Sequence, residues 1–333
     1  MLQLERETTW IEEDASKIHM IGRNLLEDRI KTKNIIVESP NNSSIKVNSD
    51  VDFDFQFLSE MFCSSEVPKN SGEIYFIRSK DKSLISEYDS RVRDVKTQCF
   101  GLYDSVNGVG LIIGGTGYGL VKSVLIGLSS FLNTRHGFFP AHGAAVEKNT
   151  IGSLLVGSHG AGKTTTLMHL MHYYGNAIKV LTDDWTISNR DNDGVNIFPL
   201  ERNLSFKGKF VEEFPHLDLG KWFLGHKREG VTKAYIDPDE IYGRGTKISK
   251  SQLRNVIVLD PRNGNLIQNI DVDLATRILI EGTYHMPDSD LDLKRKMFDF
   301  WYKTISDCNL ISFDSRHTRL KSQEIYAQLY ELL

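Results

Sequence analysis

Apolar and polar positions alternate with different periods along the chain, and each change of period marks an element. From residue 138 onward, "AHGAAVE" and "IGSLLVG" are short runs of small and apolar residues separated by Lys148-Asn149-Thr150. Runs this short, bounded by turn residues, predict two strands. "KTTTLMHLMHYYG" carries apolar residues at helical spacing and stops at Gly175, a suitable helix C-terminus. "AIKVLTDD" predicts a strand ending in Asp183 and Asp184, and "RNVIVLDP" a buried strand closed by Pro261. Further on, the pattern predicts a helix over "LDLKRKMFDFWYKTISDC", a strand "NLISF" and a last helix "SQEIYAQLYELL".

The first part of the chain is less regular. "ETTWIEEDASKIHMIGRNLLEDRIKTK" predicts a helix, with Thr9 and Glu12 spaced as a capping box. The polar "ESPNNSSIKVNSD" separates it from short alternating segments, of which "VDFDFQFL" and "GEIYFIRS" read as strands. "QCFGLYDSVNGVGLIIGG" predicts a hairpin turning at Asn107-Gly108, and "YGLVKSVLIGLSSFLNTRHG" a helix ending near Gly137. The glycines between Gly114 and Gly119 read as a turn without a ligand, because Leu120 stands where a dinucleotide fingerprint needs its third glycine. The expected division is an α+β region over residues 1–130 and a second domain over 131–333.

Composition narrows the class of function. Hydrophobic residues are 40% and charged residues 25%, and the formal net charge is −4. These values are ordinary for a globular protein and give no global basic field for nucleic acid or an acidic membrane. The three cysteines lack C-x-x-C spacing and the first residues lack an apolar core. A cytoplasmic protein with no membrane span is expected.

The chemistry concentrates after the second strand of the 138–157 pair. Gly157-Ser158-His159-Gly160-Ala161-Gly162-Lys163-Thr164 satisfies G-x-x-x-x-G-K-[ST] at every position, with an apolar strand before it and a helix after it. Such glycines let the backbone curl until its N–H groups point at phosphate oxygens, and Thr165 follows in the first helical turn. Lys163 is expected to reach the β- and γ-phosphates of ATP, and Thr164 to offer its hydroxyl to Mg²⁺. Asp183 and Asp184 begin 20 residues past Lys163. Such a pair suits one carboxylate for the metal and one for a hydroxyl proton, or simply a capped turn. Two or three residues between "AHGAAVE" and the loop strand leave no room for a parallel crossover, so the sheet is expected to be mixed.

His142-Gly143, the hairpin, the glycine loop and the Asp-Asp strand follow one another as in the HPr kinase/phosphorylase family, which this stretch resembles over residues 138–188. The resemblance implies a mixed α/β fold, a P-loop kinase core of HPr kinase type carrying a smaller N-terminal α+β region. It implies transfer of a phosphoryl group from ATP to a hydroxyl, with Mg²⁺. By position, His142 resembles the family's active-site histidine, Lys163 and Thr164 its loop lysine and metal-binding hydroxyl, Asp183 a residue beside the metal, and Asp184 the residue that deprotonates the acceptor. "FPLERNLSFKG" resembles an acidic metal-ligand segment and nominates Glu201, although Arg202 follows it directly and the glycine is absent; a surface Glu-Arg pair is the competing reading. "YGRGTKISKSQLRNVIVLDP" nominates Arg244 for the transferring phosphate, with Lys247 and Arg254 as competitors.

The expected acceptor is a serine or threonine of a peptide or protein, with a small-molecule hydroxyl as the alternative. An ATP-binding regulatory protein is the reading from another class. Homo-oligomerisation is left open. His159 is read as a solvent-facing ring within the loop, His169 and His172 as helix-surface residues, and "MFDFWYK" as helix core plus flank.

Overall fold

The computed structural model describes residues 8–12, 14–27, 33–38, 44–49, 64–65, 71–77, 99–104, 107–114, 118–201, 203–207, 214, 233–260, 265–283, 291–314, 316 and 323–333. The "VDFDFQFL" segment and Gly115–Gly117 lie outside these residues. The chain divides into two compact units, Met1–His136 with His285–Asp290, and Gly137–Tyr284 with Leu291–Leu333. Both are mixed α/β, with sheets that contain parallel and antiparallel pairs.

The first unit comprises β1 (Thr8–Glu12), α1 (Ala15–Glu27), β2 (Lys33–Glu38), β3 (Ser44–Ser49), β4 (Ser64–Ser65), β5 (Ser71–Ile77), β6 (Cys99–Asp104), β7 (Val109–Gly114) and α2 (Tyr118–Arg135). Its sheet runs β1-β6-β7-β5-β3-β2-β4. The β6–β7 hairpin turns at Asn107-Gly108 as expected, with Asp104 accepting from both Asn107 nitrogens. Ile18, Ile21 and Leu26 on α1 pack with Tyr75, Ile77, Leu102 and Leu111. Tyr75 lies so close to Gly22 that a Cβ there would meet the ring at 2.3 Å, while a Cβ on Gly72 would meet Leu132 of α2 at 2.9 Å. Residues 72 and 75 face opposite sides of a strand, so the two helices cover opposite faces.

Two expectations fail in this unit. Thr9 caps no helix: residues 8–12 form β1, parallel to β6, and Asp14 caps α1 instead, accepting from Ser16 N–H at 2.8 Å. A strand partner about ninety residues away outweighed a local capping signal, as tertiary context regularly does. The polar 38–50 stretch is not a mere separator either. Its residues Ser44–Ser49 form β3, with Ile45 and Val47 buried, and pair antiparallel with β2.

The second unit comprises β8 (Phe139–His142), β9 (Ala144–Lys148), β10 (Ile151–Val156), α3 (Lys163–Tyr174), β11 (Lys179–Thr182), β12 (Trp185–Asp191), β13 (Gly194–Pro199), β14 (Leu204–Lys207), β15 (Lys233–Ile236), α4 (Pro238–Tyr242), β16 (Ser251–Leu259), β17 (Ile267–Gln268), α5 (Val272–Thr283), α6 (Leu291–Ser306), β18 (Asn309–Phe313) and α7 (Gln323–Leu332). β9 and β10 form the expected antiparallel hairpin, and β10 is also parallel to β16, so the sheet is mixed. Strict alternation sorts its side chains. Ala144, Val146, Leu155, Ile257 and Leu259 face α3 and α7, whereas Ala145, Leu154, Val156, Val256 and Val258 face α5 and α6.

"AHGAAVE" is not one strand, and this is what builds the site. The chain breaks at Gly143: β9 pairs with β10 and β11, but β8 pairs with β12. The partner ribbon breaks at Asp183-Asp184, between β11 and β12. Thr182 pairs with Ala145 on one side of the gap and Trp185 with His142 on the other, in one continuous register. Asp184 therefore falls opposite Gly143, where both ribbons bend. A Cβ on Gly143 would meet Leu154 Cδ1 at 2.7 Å and the Leu155 carbonyl at 2.8 Å, so the bend needs a residue without one.

Candidate active site

The loop between β10 and α3 begins at the buried end of a strand whose residues 152–156 are all buried. Gly162 precedes the helix with φ 99°, in the left-handed region that favours glycine. It caps the helix without a side-chain bond, leaving the first-turn amides for another partner. Ala161 N–H donates to the Ser158 carbonyl at 3.0 Å, closing a turn that leaves Ser158, His159 and Gly160 exposed. The exposure of His159 agrees with its reading as a solvent-facing residue. Thr165 is half-buried one turn on. Lys163 is buried, and its ammonium donates to the Gly157 carbonyl at 3.0 Å, with the Ser158 carbonyl at 3.5 Å. Burial pushes its pKa down, against the opposing pull of the Asp184 and Asp183 charges.

Asp183 is the joint between loop and sheet. One carboxylate oxygen accepts from Ser205 N–H at 2.9 Å, and the other faces the Thr164 hydroxyl at 3.3 Å. Asp184 turns the other way. Its Oδ1 lies 2.7 Å from His142 Nε2, and its backbone N–H donates to the Thr182 hydroxyl at 3.3 Å. His142 stacks on the Trp185 indole, with centroids 5.0 Å apart and planes 11° from parallel.

Counting protons fixes the tautomer. His142 Nδ1 is 2.8 Å from the Gly282 carbonyl, which can only accept. Nδ1 therefore carries a proton, and Nε2 is the nitrogen that shares one with Asp184. The structure thus brings together four of the nominated residues through two contacts, Thr164–Asp183 and His142–Asp184, with Lys163 feeling both carboxylates.

Two nominated residues stand differently. Glu201 is buried at 2% exposure, which overturns its surface Glu-Arg alternative. Leu200 N–H donates to the Trp185 carbonyl, extending the β12–β13 ladder by one step and bringing the next residue, Glu201, level with Asp184. Arg244 is exposed in a turn whose Thr246 donates to Asn176, before β11 begins. Val180 bridges Lys247 in parallel, so Arg244 lies toward the start of β11. The Asp pair is at the other end, about 10–13 Å beyond Val180 at ~3.3 Å per residue. The structure does not bring Arg244 to the carboxylates, because the loop follows β11 in parallel and presents its arginine first.

Of the other histidines, His172 is exposed as expected, but His169 is 3% exposed and packed against Phe214 and Tyr326. It belongs to the core under α3. "MFDFWYK" reads correctly as core plus flank, with Met297 and Trp301 buried and Tyr302 exposed. Burial pushes the Cys308 thiol up to about 11, which removes it as a nucleophile. Sequence reasoning missed Trp185, Ser205 and the Gly282–Thr283 turn, none of which has a local signature.

Among the described residues, no group of three or more His, Cys, Asp or Glu side chains is placed to hold a metal ion by itself. The Thr164 hydroxyl facing the Asp183 carboxylate is nevertheless a hard-oxygen donor pair. Such a pair fits Mg²⁺, which binds through one or two carboxylates and takes its remaining ligands from phosphate and water. No helix among the described residues is long and apolar enough to cross a membrane. In comparisons with known proteins, no family model and no curated protein matches this chain.

Proposed function

We propose that this chain is an ATP- and Mg²⁺-dependent phosphotransferase of HPr kinase-like type, acting on a serine or threonine hydroxyl of a peptide or protein. The observation that carries the reading is the split of the Asp pair. Asp183 is tied to the loop through Thr164, while its neighbour Asp184 is held 2.7 Å from His142. Two adjacent carboxylates with different partners can serve two roles.

The loop amides and Lys163 receive the β- and γ-phosphates, Lys163 exchanging its two loop carbonyls for phosphate oxygens. Thr164 and Asp183 would hold Mg²⁺, which supplies charge neutralisation to the phosphates when bound. Asp184 accepts the proton of the acceptor hydroxyl as its oxygen attacks the γ-phosphorus. The bond from that phosphorus to the β–γ bridging oxygen breaks, and ADP leaves. His142 holds the Asp184 carboxylate in place, and the Trp185 stack holds His142. Lys163 and the loop meet the charge of the transferring group, and no role falls to Arg244.

Incubation with γ-labelled ATP and candidate peptides, followed by mass spectrometry, tests the reading. Phosphoserine or phosphothreonine is expected in wild type. Label on a small-molecule hydroxyl moves the acceptor to the alternative class. Nucleotide-dependent partner binding with no transfer to any acceptor makes the chain a regulatory ATP-binding protein and ends the kinase reading.

A further inference from the structure

We propose that the last turn of α5, through Thr283 and the Gly282 carbonyl, is the positioning element for His142, and so sets the rate of phosphoryl transfer without contacting nucleotide. The inference rests on Asp184 and His142 acting together as proposed above. Among the described residues β8 lies at the end of its sheet and pairs with β12 alone. Its outward backbone groups need partners elsewhere, and two helices supply them. Trp301 Nε1–H of α6 donates to the Pro140 carbonyl at 2.9 Å, and His142 N–H donates to the Thr283 hydroxyl oxygen at 3.0 Å. Alternate residues of one strand are thus fastened from outside the sheet.

The Thr283 contact is fully specified. The hydroxyl spends its own proton on the Leu279 carbonyl at 2.6 Å, so it can only accept from His142. One residue earlier, the Gly282 carbonyl takes the Nδ1 proton at 2.8 Å. The same His142 is therefore gripped at backbone and ring by adjacent residues of one turn. Carbonyls at a helix C-terminus carry partial negative charge, which favours a protonated Nδ1. The turn also abuts the loop: a Cβ on Gly282 would come within 3.6 Å of the Gly157 carbonyl, the group that holds Lys163. A shift of this turn moves the histidine and leaves the nucleotide loop's own covalent frame unchanged.

Thr283→Val removes the hydroxyl at nearly constant volume, and Thr283→Ser keeps it. Should the valine variant fail to fold, Thr283→Ala against Thr283→Ser makes the same comparison, one hydroxyl apart. The first readout is the ¹⁵N–¹H long-range correlation of histidine-labelled full-length protein, with His142 assigned by its disappearance in His142→Gln. Wild type and Thr283→Ser are expected to share one pattern with Nδ1 protonated, and Thr283→Val to lose it. The second readout uses ATP with water as acceptor. Phosphate release should fall about tenfold or more in kcat for Thr283→Val, with affinity for a fluorescent ATP analogue within about twofold. An unchanged ring pattern in Thr283→Val overturns the proposal, as does a changed pattern with unchanged kcat. Absence of phosphoryl transfer from ATP to water and to every hydroxyl acceptor tried in wild type sinks the kinase reading instead, and the ring pattern then decides the positioning role alone.

Discussion

His19 and His142 each lie against a carboxylate, one in each unit, and their surroundings differ. His19 Nδ1 is 2.9 Å from the Tyr75 hydroxyl and 3.4 Å from Glu73 Oε2. The other oxygen of Glu73 meets Lys46 Nζ at 3.2 Å and Asn48 Nδ2 at 2.8 Å. Lys46 and Glu73 are direct partners across the unbroken β3–β5 ladder, so a cation from the next strand neutralises the acid where it stands. At His142 the ladder is interrupted, and the carboxylate is turned toward a histidine beside a helix start that its N-cap residue leaves without a side-chain cap. A histidine–carboxylate contact is thus no mark of function by itself. What distinguishes the second pair is its place at a gap in the sheet, next to the glycine-led start of α3.

The largest effect separates the two pairs by activity. Asp184→Asn is expected to lower phosphoryl transfer by about 10²–10⁴-fold, the usual contribution of a general base, while ATP affinity survives. Glu73→Gln should leave transfer unaltered. Equal losses in the two variants, measured with labelled ATP, would break the distinction.

Gly143→Val tests whether the gap is built into the packing. The added side chain has Leu154 and the Leu155 backbone within contact distance, and overpacking of this kind costs about 1–3 kcal/mol. The midpoint of denaturant unfolding should drop accordingly, and an unchanged midpoint would mean the bend is not packing-limited.

The Glu73 cluster makes a prediction about pH. Burial pushes the Glu73 pKa up, but the hydrogen bonds from Asn48 and Lys46, with the Lys46 and His19 charges, outweigh it and leave it below the ordinary value. A carboxylate with a depressed folded-state pKa contributes stability above its unfolded pKa of about 4.3, and loses it as pH falls through the folded value. Unfolding curves between neutral and strongly acidic pH should show a stability loss in wild type that Glu73→Gln diminishes. The Glu73 side chain is only partly buried, and the solvent that still reaches it keeps the difference small.

The smallest effect concerns the hairpin that leads from the gap to the loop. Asn149 and Thr150 have φ of 52° and 67°, and a β-branched residue is costly in that region. Thr150→Gly should raise stability by about 1 kcal/mol, with transfer unchanged. A loss of transfer would show that strain at this turn matters to the site.

Much of the site was legible because its parts are close in sequence. The glycine loop, its helix and the hairpin before it depend on spacing within about thirty residues, and they stand where the pattern put them. The strand expected to end in Asp183-Asp184 forms as β11 but stops at Thr182, which leaves both carboxylates in the gap before β12. His142 could be nominated but not placed, since "AHGAAVE" reads as one strand. Its break shows only in the pairing of β8 with β12 and in the crowding around Gly143. Arg244 shows the opposite case: a basic loop of suitable composition runs along β11, yet delivers its arginine to the wrong end.

The sequence by itself determined a glycine loop on a hairpin strand, a carboxylate pair one helix later, and the mixed character of the sheet. Local dihedral preference and short chain connections suffice for these. Only the tertiary structure decided that the gap opposite Gly143 turns Asp184 to His142, that Asp183 faces Thr164, and that α5 grips the histidine. Those contacts join residues up to 141 positions apart, and they depend on how the whole sheet buries its two faces and satisfies its edge.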